Sequence, residues 1–199
     1  MMVVDYIKSW LQRKIYVAVR KVSREETTRM FMSMKHIGAD FYFCGACRII
    51  GPEFISIGDN FYCGEHARME AINGHLLPQL HIGDNFSMED FCHIACASKV
   101  EIGNGVLLGS KVFITDHFHG DISANDLNTP PSKRILTSKP IYIGNNVWIG
   151  DNVSIMPGVT LGDNVIVGAN AVVTHSFSAG SVIAGCPAKI IKNLYELDE

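Results

Sequence analysis

The chain lacks a strong excess of charge of either sign, and it lacks any long apolar run. Over 199 residues the formal net charge is -3 and the pI is near 6.2, whereas a nucleic-acid-binding protein usually presents a basic face. No stretch approaches the ~18 uncharged apolar residues of a transmembrane helix. The N-terminal segment interleaves Asp5, Lys8, Arg13 and Lys14 with apolar residues, unlike a secretory signal. We therefore expect one cytoplasmic domain with a sizeable core and no nucleic-acid partner.

What the sequence does contain is a repeat of six residues. Such a period fits neither an α-helix, with about 3.6 residues per turn, nor a half-buried strand, with a period of two. It indicates a solenoid of stacked coils, in which each hexapeptide forms a short strand and a turn and the aliphatic side chains point inward. The first aliphatic column is Ile143, Ile149, Ile155, Leu161, Val167 and Val173, and the second is Val147, Val153, Val159, Val165 and Ala171.

The same period runs through the earlier part of the chain, with interruptions. Repeats start with Ile-Gly-Asp-Asn at residues 57–60 and 82–85, slip by two residues at Val100 and then resume. Residues 66–81 break the pattern and are expected to form a small excursion. Residues 116–140 are polar, contain prolines and carry no repeat, which predicts a long loop. Such a loop inside a compact domain is usually functional or disordered.

Both ends of the chain are expected to be helical. Apolar residues recur at steps of three and four over residues 3–22, which predicts an amphipathic helix. Ser23 and Glu26 resemble a capping box that opens a second helix over residues 24–35. We interpret this hairpin as a cap on the open end of the solenoid, and the alternative is that the basic first helix lies on an anionic membrane surface. The predicted division is 1–37, a helical cap; 38–187, the repeat domain with the loop 116–140; and 188–199, a short helix and tail.

Six cysteines raise the question of a metal site. Cys44 and Cys47, like Cys92 and Cys96, have the spacing of metal half-sites. Cys63 and Cys92, however, fall on the six-residue repeat, where a small apolar side chain is needed, and free cysteine packs as a small hydrophobe. Disulfides are rare in a reducing compartment. We therefore predict packing roles for the cysteines and no bound metal.

The long loop opens on residues that suit acid–base chemistry. Asp116, His117 and His119 stand where the repeats stop, at the edge of a rigid wall of strands. The ordinary pKa of histidine, ~6.5, suits a general base at neutral pH. Asp116 is a candidate for orienting the His117 ring, although adjacent residues on a strand usually point to opposite faces. The alternative is that these histidines only solvate the loop.

The repeats, the loop opening at 115–119, the segment 143–174 and the tail Gly-x-Pro-Ala-Lys at 185–189 resemble the left-handed β-helix acyltransferases. The resemblance covers residues 55–192, and it is greatest to maltose and galactoside O-acetyltransferases and to bacterial polysaccharide O-acetyltransferases. It implies an all-β fold, a left-handed parallel β-helix with three hexapeptides per coil. It also implies a homotrimer with acetyl-CoA in the groove between subunits, where the loop of one subunit covers the site.

The same resemblance implies a mechanism. A histidine deprotonates a sugar hydroxyl, which attacks the acetyl-CoA thioester, and backbone N–H groups stabilise the oxyanion. The family motif favours His117 as the base, whereas a count without gaps from Ile102 favours His119, so both remain candidates beside Asp116.

The resemblance also implies a set of cofactor-binding residues. Asp151 departs from the family, which has a small hydroxyl residue there, and His175 stands where a lysine is common. We expect Lys189 to compensate for the weaker phosphate attraction at His175. The implied set is Trp148, Gly150, Asp151, Gly168, Ala169, Thr174, His175, Lys189 and Lys192.

The resemblance also bears on the sugar acceptor. Glu89, with Asp90 beside it, replaces an asparagine that binds hydroxyl groups in the family, so these two are candidate acceptor contacts. The acceptor is expected to be a surface polysaccharide or its lipid-linked precursor, then a free sugar, then an amino-sugar nitrogen. Two alternatives stay open: a non-catalytic scaffold, and a metalloenzyme similar to the γ-class carbonic anhydrases. The candidate metal ligands of the latter are His81, His93, His117 and His119.

Overall fold

The computed structural model describes residues 2–120 and 128–195. Within that part of the chain a long helix, α1 (Met2–Phe31), is followed almost entirely by short strands. In chain order the strands are β1 (His36–Ile37), β2 (Tyr42–Phe43), β3 (Arg48–Ile50), β4 (Ile55–Ile57), β5 (Tyr62–Cys63), β6 (Arg68–Ala71), β7 (Gln79–Ile82), β8 (Ser87–Met88), β9 (His93–Cys96), β10 (Lys99–Ile102), β11 (Leu107–Leu108), β12 (Phe113–Thr115), β13 (His117–His119), β14 (Leu136–Ser138), β15 (Ile141–Ile143), β16 (Trp148–Ile149), β17 (Ser154–Ile155), β18 (Thr160–Leu161), β19 (Ile166–Val167), β20 (Val172–Val173), β21 (Ser181–Ala184) and β22 (Lys189–Asn193). Short 3-10 turns occur at Pro52–Phe54 and Pro131–Lys133.

Most strands belong to three parallel sheets, and the chain enters each sheet in turn before it returns to the first. The first sheet has the order β1-β4-β7-β10-β15-β18, the second β2-β5-β8-β11-β16-β19-β21-β22, and the third β20-β17-β12-β9-β6-β3. One passage through all three sheets makes a coil, and successive coils are joined by parallel backbone pairing, for example Ile102 with Ile143 and Leu108 with Ile149. The expectation of an all-β repeat fold with parallel strands is confirmed at this level.

Both aliphatic columns face the interior, as predicted. No member of either column is more than 3% exposed. At the corners between strands, Asn146 and Asn164 have φ values of 53° and 58°, in the left-handed region that asparagine tolerates better than most residues. A Cβ on Gly144 would lie 2.7 Å from the backbone nitrogen of Asp163 on the next coil. The Gly-Asn-Asn segment at 144–146 and the Gly-Asp-Asn segment at 162–164 therefore supply an asparagine that can turn the corner and a glycine that lets neighbouring coils approach closely.

A ladder of side-chain hydrogen bonds connects the corners that follow the first sheet. The N–H of Asn145 donates to Oδ1 of Asp163 over 2.6 Å, and the N–H of Asn104 donates to Oδ1 of Asn145 over 2.9 Å. Asp84 donates in the same way to Asn104 over 2.8 Å. We call this arrangement the Asx ladder; it satisfies corner N–H groups that the strands leave unpaired.

The N-terminal segment forms one continuous helix, so the prediction of two helices separated at Ser23 is wrong. No glycine or proline occurs from Met2 to Phe31, and nothing in this stretch ends a helix. Its last turn covers the first coil: Phe31 is fully buried and stacks on Phe43, with 5.2 Å between ring centroids. Among the described residues, no helix is long and apolar enough to cross a membrane.

The C-terminal segment is a strand, so the prediction of a short helix from about Ala188 is also wrong. β22 runs antiparallel to β21 and pairs Lys189 with Ala184 and Lys192 with Val182. The Gly-Cys-Pro turn at 185–187 reverses the chain beside an unpaired sheet edge, and pairing satisfies that edge.

The two interruptions of the repeat are shorter than expected. Arg68–Ala71 is a regular strand of the third sheet with Met69 in the core, so of residues 66–81 the excursion comprises only 72–78. The loop 116–140 begins and ends with the antiparallel pair β13 and β14. Positions 121–127 of that loop lie outside the described residues.

The two buried aliphatic columns predict that a charged residue in the core destabilises the protein. Val153→Asp places a carboxylate at a fully buried site without a partner, at a cost of several kcal/mol. We expect the variant to be insoluble or to melt far below the wild type in circular dichroism. Ser154→Asp, on the neighbouring outward position, is the matched control and is expected to fold. A soluble Val153→Asp protein with a near-normal melting temperature would contradict the inward assignment.

Candidate active site

The candidate site begins where the chain leaves the coils after β12. Asp116 is a bend between β12 and β13, and its carboxylate is fully buried. It accepts hydrogen bonds from the N–H groups of Ala97 (2.8 Å), Ser98 (2.7 Å) and Lys99 (2.8 Å). These residues form the corner where the repeat slips by two, and Asp116 supplies the acceptor that their N–H groups need.

The Asp116 carboxylate also orients the neighbouring histidine. Oδ1 of Asp116 lies 2.9 Å from Nδ1 of His117, whose side chain is 8% exposed. Burial by itself would raise the pKa of Asp116, but the hydrogen bonds from His117 and from the three N–H groups outweigh it, and the pKa is lowered. An ionised carboxylate only accepts hydrogen bonds, so Nδ1 of His117 carries a proton, and in the neutral form of the ring the lone pair is on Nε2. Adjacent residues on a strand usually point to opposite faces, but the bend at Asp116 lets the side chains of Asp116 and His117 meet.

His119, the other candidate base, lies on the same hairpin. It is exposed, and its ring centroid lies 6.3 Å from that of His117. The two histidines therefore share one site, but His117 is the one joined to Asp116.

A second carboxylate–imidazole pair lies beside the first and was missed in the sequence. Glu70 Oε2 on β6 is 3.2 Å from Nε2 of His93 on β9. Glu70 Oε1 receives Nη2 and Nε of Arg68 at 2.6 and 3.2 Å, and Nε of Arg48 lies 3.4 Å away. Because residues 66–81 interrupt the six-residue repeat, that repeat gave Glu70 no predicted position. The available signal was the strand-like Arg-Met-Glu-Ala segment with Met69 as its inward residue.

These contacts fix the charge states of the pair. Burial would raise the pKa of Glu70, but the hydrogen bonds from Arg68 and His93 lower it. Burial and the nearby charge of Arg68 lower the pKa of His93, against the opposing effect of Glu70. Glu70 is therefore ionised and His93 neutral at pH 7, and His93 donates from Nε2 to the carboxylate.

His117 and the Glu70–His93 pair line one cleft of about 390 Å³ on the outer face of the third sheet, and Asp116 is buried behind His117. Small-molecule sites typically occupy ~300–1,000 Å³, so the cleft has the size of a substrate site. Its described lining consists of Arg68, Glu70, Ile72, His93, Ala95, Phe113, Thr115, His117, Phe118, His119 and Met156.

The predicted cofactor residues are not gathered around His117 in a single chain. Trp148 lies on the second sheet and is 53% exposed. Gly150 with Asp151, and Gly168 with Ala169, form corners between the second and third sheets, across the third sheet from His117. Asp151 has a role in this position, because its Oδ1 accepts the N–H of Ser110 over 2.7 Å, as in the Asx ladder.

The remaining predicted residues are divided in the same way. Lys189 and Lys192 lie on β22 at the edge of the second sheet, whereas Thr174 and His175 follow β20 at the end of the third sheet where His117 lies. Nδ1 of His175 is 2.8 Å from Oγ1 of Thr174.

The predicted acceptor residues lie at a corner between the second and third sheets, before β9. Glu89 is exposed, and Oδ1 of Asp90 accepts the N–H of Glu65 over 2.7 Å. Asp90 thus accepts a corner N–H group as Asp151 does. Within a single chain, Glu89 and Asp90 do not lie at the start of the loop 116–140.

The two cysteines that fall on the six-residue repeat pack in the core, whereas Cys186 is exposed. Cys63 and Cys92 are fully buried. Burial raises the pKa of Cys92 to about 11 and that of Cys96 to about 12, which keeps both thiols protonated at neutral pH. In the part of the chain that is described, no three His, Cys, Asp or Glu side chains are grouped to hold a metal ion.

Comparison with known proteins agrees with this architecture. A family model for the bacterial transferase hexapeptide (six repeats) matches residues 140–175. WbbJ of Escherichia coli K12, whose name describes a lipopolysaccharide biosynthesis O-acetyl transferase, is 43% identical over 150 residues, or 73% of this chain and 75% of WbbJ. A maltose O-acetyltransferase from Clostridium difficile 630 is 27% identical, with a TM-score of 0.60, over 92% of this chain and 89% of its own. A galactoside acetyltransferase in complex with coenzyme A is 26% identical, with a TM-score of 0.57, over 86% and 70%.

The contacts of Asp116 predict a pH-dependent loss of stability. Asp116→Ala leaves three N–H groups without their acceptor, at about 1–3 kcal/mol for each buried group. Because the pKa is lowered in the folded protein, the contribution is complete above the unfolded value of ~3.9 and is lost as the pH falls through the folded value. We expect urea unfolding to show a large destabilisation at pH 7 that shrinks below about pH 4.

The matched control is Asp163→Ala, which removes the acceptor of Asn145 at an exposed corner. It should cost much less. Equal losses for the two variants, or a difference that does not change with pH, would contradict the role given to Asp116.

Proposed function

The chain belongs to the hexapeptide-repeat acyltransferases, and on that basis we propose that it is an acetyl-CoA-dependent O-acetyltransferase of a sugar hydroxyl. The identity with WbbJ supports an acceptor in a bacterial surface polysaccharide or its precursor. The observation that carries the proposal is the hydrogen-bonded Asp116–His117 pair beside a cleft of substrate size.

In the proposed mechanism His117 is the general base. Its free Nε2 takes the proton of the acceptor hydroxyl while the oxygen attacks the thioester carbon. Backbone N–H groups stabilise the tetrahedral oxyanion. The thioester C–S bond then breaks, and the sulfur leaves with the proton that His117 returns. Asp116 holds the ring in the productive tautomer and stabilises the imidazolium, so its burial and low pKa serve the reaction directly.

We further propose a left-handed β-helix that forms a homotrimer with shared sites. The support is the division of the candidate residues, since Trp148 and the corners at Gly150 and Gly168 lie across the third sheet from His117. A neighbouring subunit that brings its second sheet against this hairpin would complete the set. Acetyl-CoA would then lie along the corner residues of one subunit and reach His117 of the other, with Lys189 and Lys192 near its phosphates.

One experiment tests donor binding and catalysis separately. Acetyl-CoA at about a hundred times its dissociation constant adds ~2.7 kcal/mol to a folded protein that binds it, which raises the melting temperature by roughly 5–10 °C. We expect that shift in the wild type and in His117→Ala. Acetyl transfer to a panel of sugars should fall ~10²–10⁴-fold in His117→Ala alone, because a general base is lost.

His119→Ala is the matched control and should retain most activity. Loss of activity in His119→Ala with a normal His117→Ala enzyme would move the base to His119. Absence of any shift with acetyl-CoA would reject the proposed reaction and favour a scaffold or a metalloenzyme. Co-expression of His117→Ala with Trp148→Ala should restore part of the activity if subunits share a site, and no restoration would reject that arrangement.

We also propose that α1 binds an anionic membrane surface. From residue 6 to residue 24 the chain contains no acidic residue, and its cations are Lys8, Arg13, Lys14, Arg20, Lys21 and Arg24. Among the described side chains of this segment, five apolar ones are exposed to between 50% and 59%: Ile7, Trp10, Leu11, Ile15 and Val17. Apolar surface beside a run of positive charge suits a helix that lies in the headgroup region. The same charge opposes pairing of two such helices.

Vesicle binding tests this surface. We expect sedimentation with vesicles of phosphatidylglycerol and phosphatidylcholine, and little binding to phosphatidylcholine alone. Changing Lys8, Arg13 and Lys14 together to Gln should weaken binding about a hundredfold, because each cation near the surface contributes about 1 kcal/mol. The exposed set Lys111, Lys133 and Lys139, changed to Gln, is the control. Equal binding to both vesicle types, or equal losses in both variants, would contradict the proposal.

A further inference from the structure

The cleft contains a cluster of charged residues that the proposed mechanism does not use. Arg48, Arg68 and His93 occupy matching positions on β3, β6 and β9, because Arg48 pairs with Arg68 and Arg68 with His93. Glu70 lies two residues along β6, and its buried carboxylate joins all three. We call these four residues the arginine cluster. Arg68, Glu70 and His93 line the same cleft as His117.

The arginine cluster carries more positive charge than its internal contacts neutralise. One ionised carboxylate, Glu70, faces the two guanidinium groups of Arg48 and Arg68, and His93 is neutral because burial and Arg68 lower its pKa. Among the described residues that line the cleft, Glu70 supplies the acidic side chain. The four residues of the cluster therefore carry one net positive charge. Arg68 belongs to the cleft lining, Arg48 lies beside it outside that lining, and the carboxylate of Asp116 is fully buried.

The arginines also retain hydrogen-bonding capacity toward solvent. The described contacts of Arg68 with Glu70 use Nε and Nη2, and the contact of Arg48 uses Nε. Their side chains are 44% and 66% exposed. A guanidinium group has five N–H donors in a planar fork that matches a carboxylate or phosphate. The carboxylate of Glu70, whose side chain is only 9% exposed, fixes the orientation of that fork from below.

We propose that Arg48 and Arg68 form a subsite for an anionic group, a carboxylate or a phosphate, on the sugar acceptor. Glu70 is a positioning residue for both arginines, and His93 is left with Nδ1 as an acceptor for a sugar hydroxyl. A sugar held by its anionic group at this end of the cleft presents its hydroxyls toward His117. This inference rests on the proposed function, and it restricts the substrate to acidic sugars or sugar phosphates.

Matched ligands separate the effect of the anion from that of the sugar. Into protein saturated with coenzyme A we would titrate α-D-glucose 1-phosphate, methyl β-D-glucuronide and neutral methyl α-D-glucopyranoside by calorimetry. Coenzyme A occupies the donor site and prevents the phosphate from binding there. We expect at least one anionic ligand to bind tenfold or more tightly than the neutral glucoside. Whether the phosphate or the carboxylate is preferred identifies the anion.

Variants then assign the preference to the arginines. Arg68→Gln should remove the preference for the anionic ligand and leave the affinity for the neutral glucoside within about threefold, since only charge recognition is lost. Arg68→Lys keeps the charge without the fork and should give an intermediate value. Lys111→Gln, an exposed cation at a corner of the coil, is the matched control and should change neither affinity.

The proposal is overturned if no anionic ligand binds more tightly than the glucoside, or if Arg68→Gln keeps the preference. In either case the arginines serve only to neutralise Glu70. A normal melting temperature and a normal shift with acetyl-CoA in Arg68→Gln show that the fold and donor site are intact. Failure of acetyl-CoA to shift even the wild type would count against the proposed function, independently of Arg68.

Discussion

The stacking of each coil on the one before it constrains every other feature of this protein. Parallel strands must lie about 4.8 Å apart, so each hexapeptide has to repeat the shape of its neighbour in the stack. An aliphatic residue fills the interior at each step, as Val153 and Ile155 do. Asparagine in the left-handed region turns the corners, and glycine lets the backbones approach. Side chains that face outward escape this constraint, and they are where chemistry can be placed.

The candidate site lies where the regular stacking of the coils is interrupted. Two extra residues at the corner before β10 leave N–H groups without a partner in the next coil, and Asp116 turns inward to accept them. The bend that allows this also brings His117 against the same carboxylate. One buried carboxylate thus accepts the N–H groups of the corner and orients the imidazole of His117.

The parts of the structure that could be predicted are those that produce a regular spacing of residues along the sequence. The buried columns followed from a six-residue spacing, and the histidine pair from its place at the mouth of the long loop. The ends could not be derived in this way. Ser23 has the residue type of a helix cap but no breaker beside it, and the segment after Ala188 is a strand because an open sheet edge lies next to it. The Glu70–His93 pair depends on register between residues 23 positions apart.

Charge is distributed unevenly along the axis of the coils, and this gives the cleft a direction. The basic helix α1 contacts the first coil near β3, which carries Arg48, and Arg68 follows on the next strand of that sheet. Toward the C-terminus the matching positions of this sheet carry the uncharged residues Phe113, Ser154 and Val172. Under the proposals made above, an anionic acceptor at a membrane surface would enter from the end that α1 covers, and acetyl-CoA from the other. His117 lies between the two ends, where a hydroxyl and a thioester arriving from opposite sides would meet.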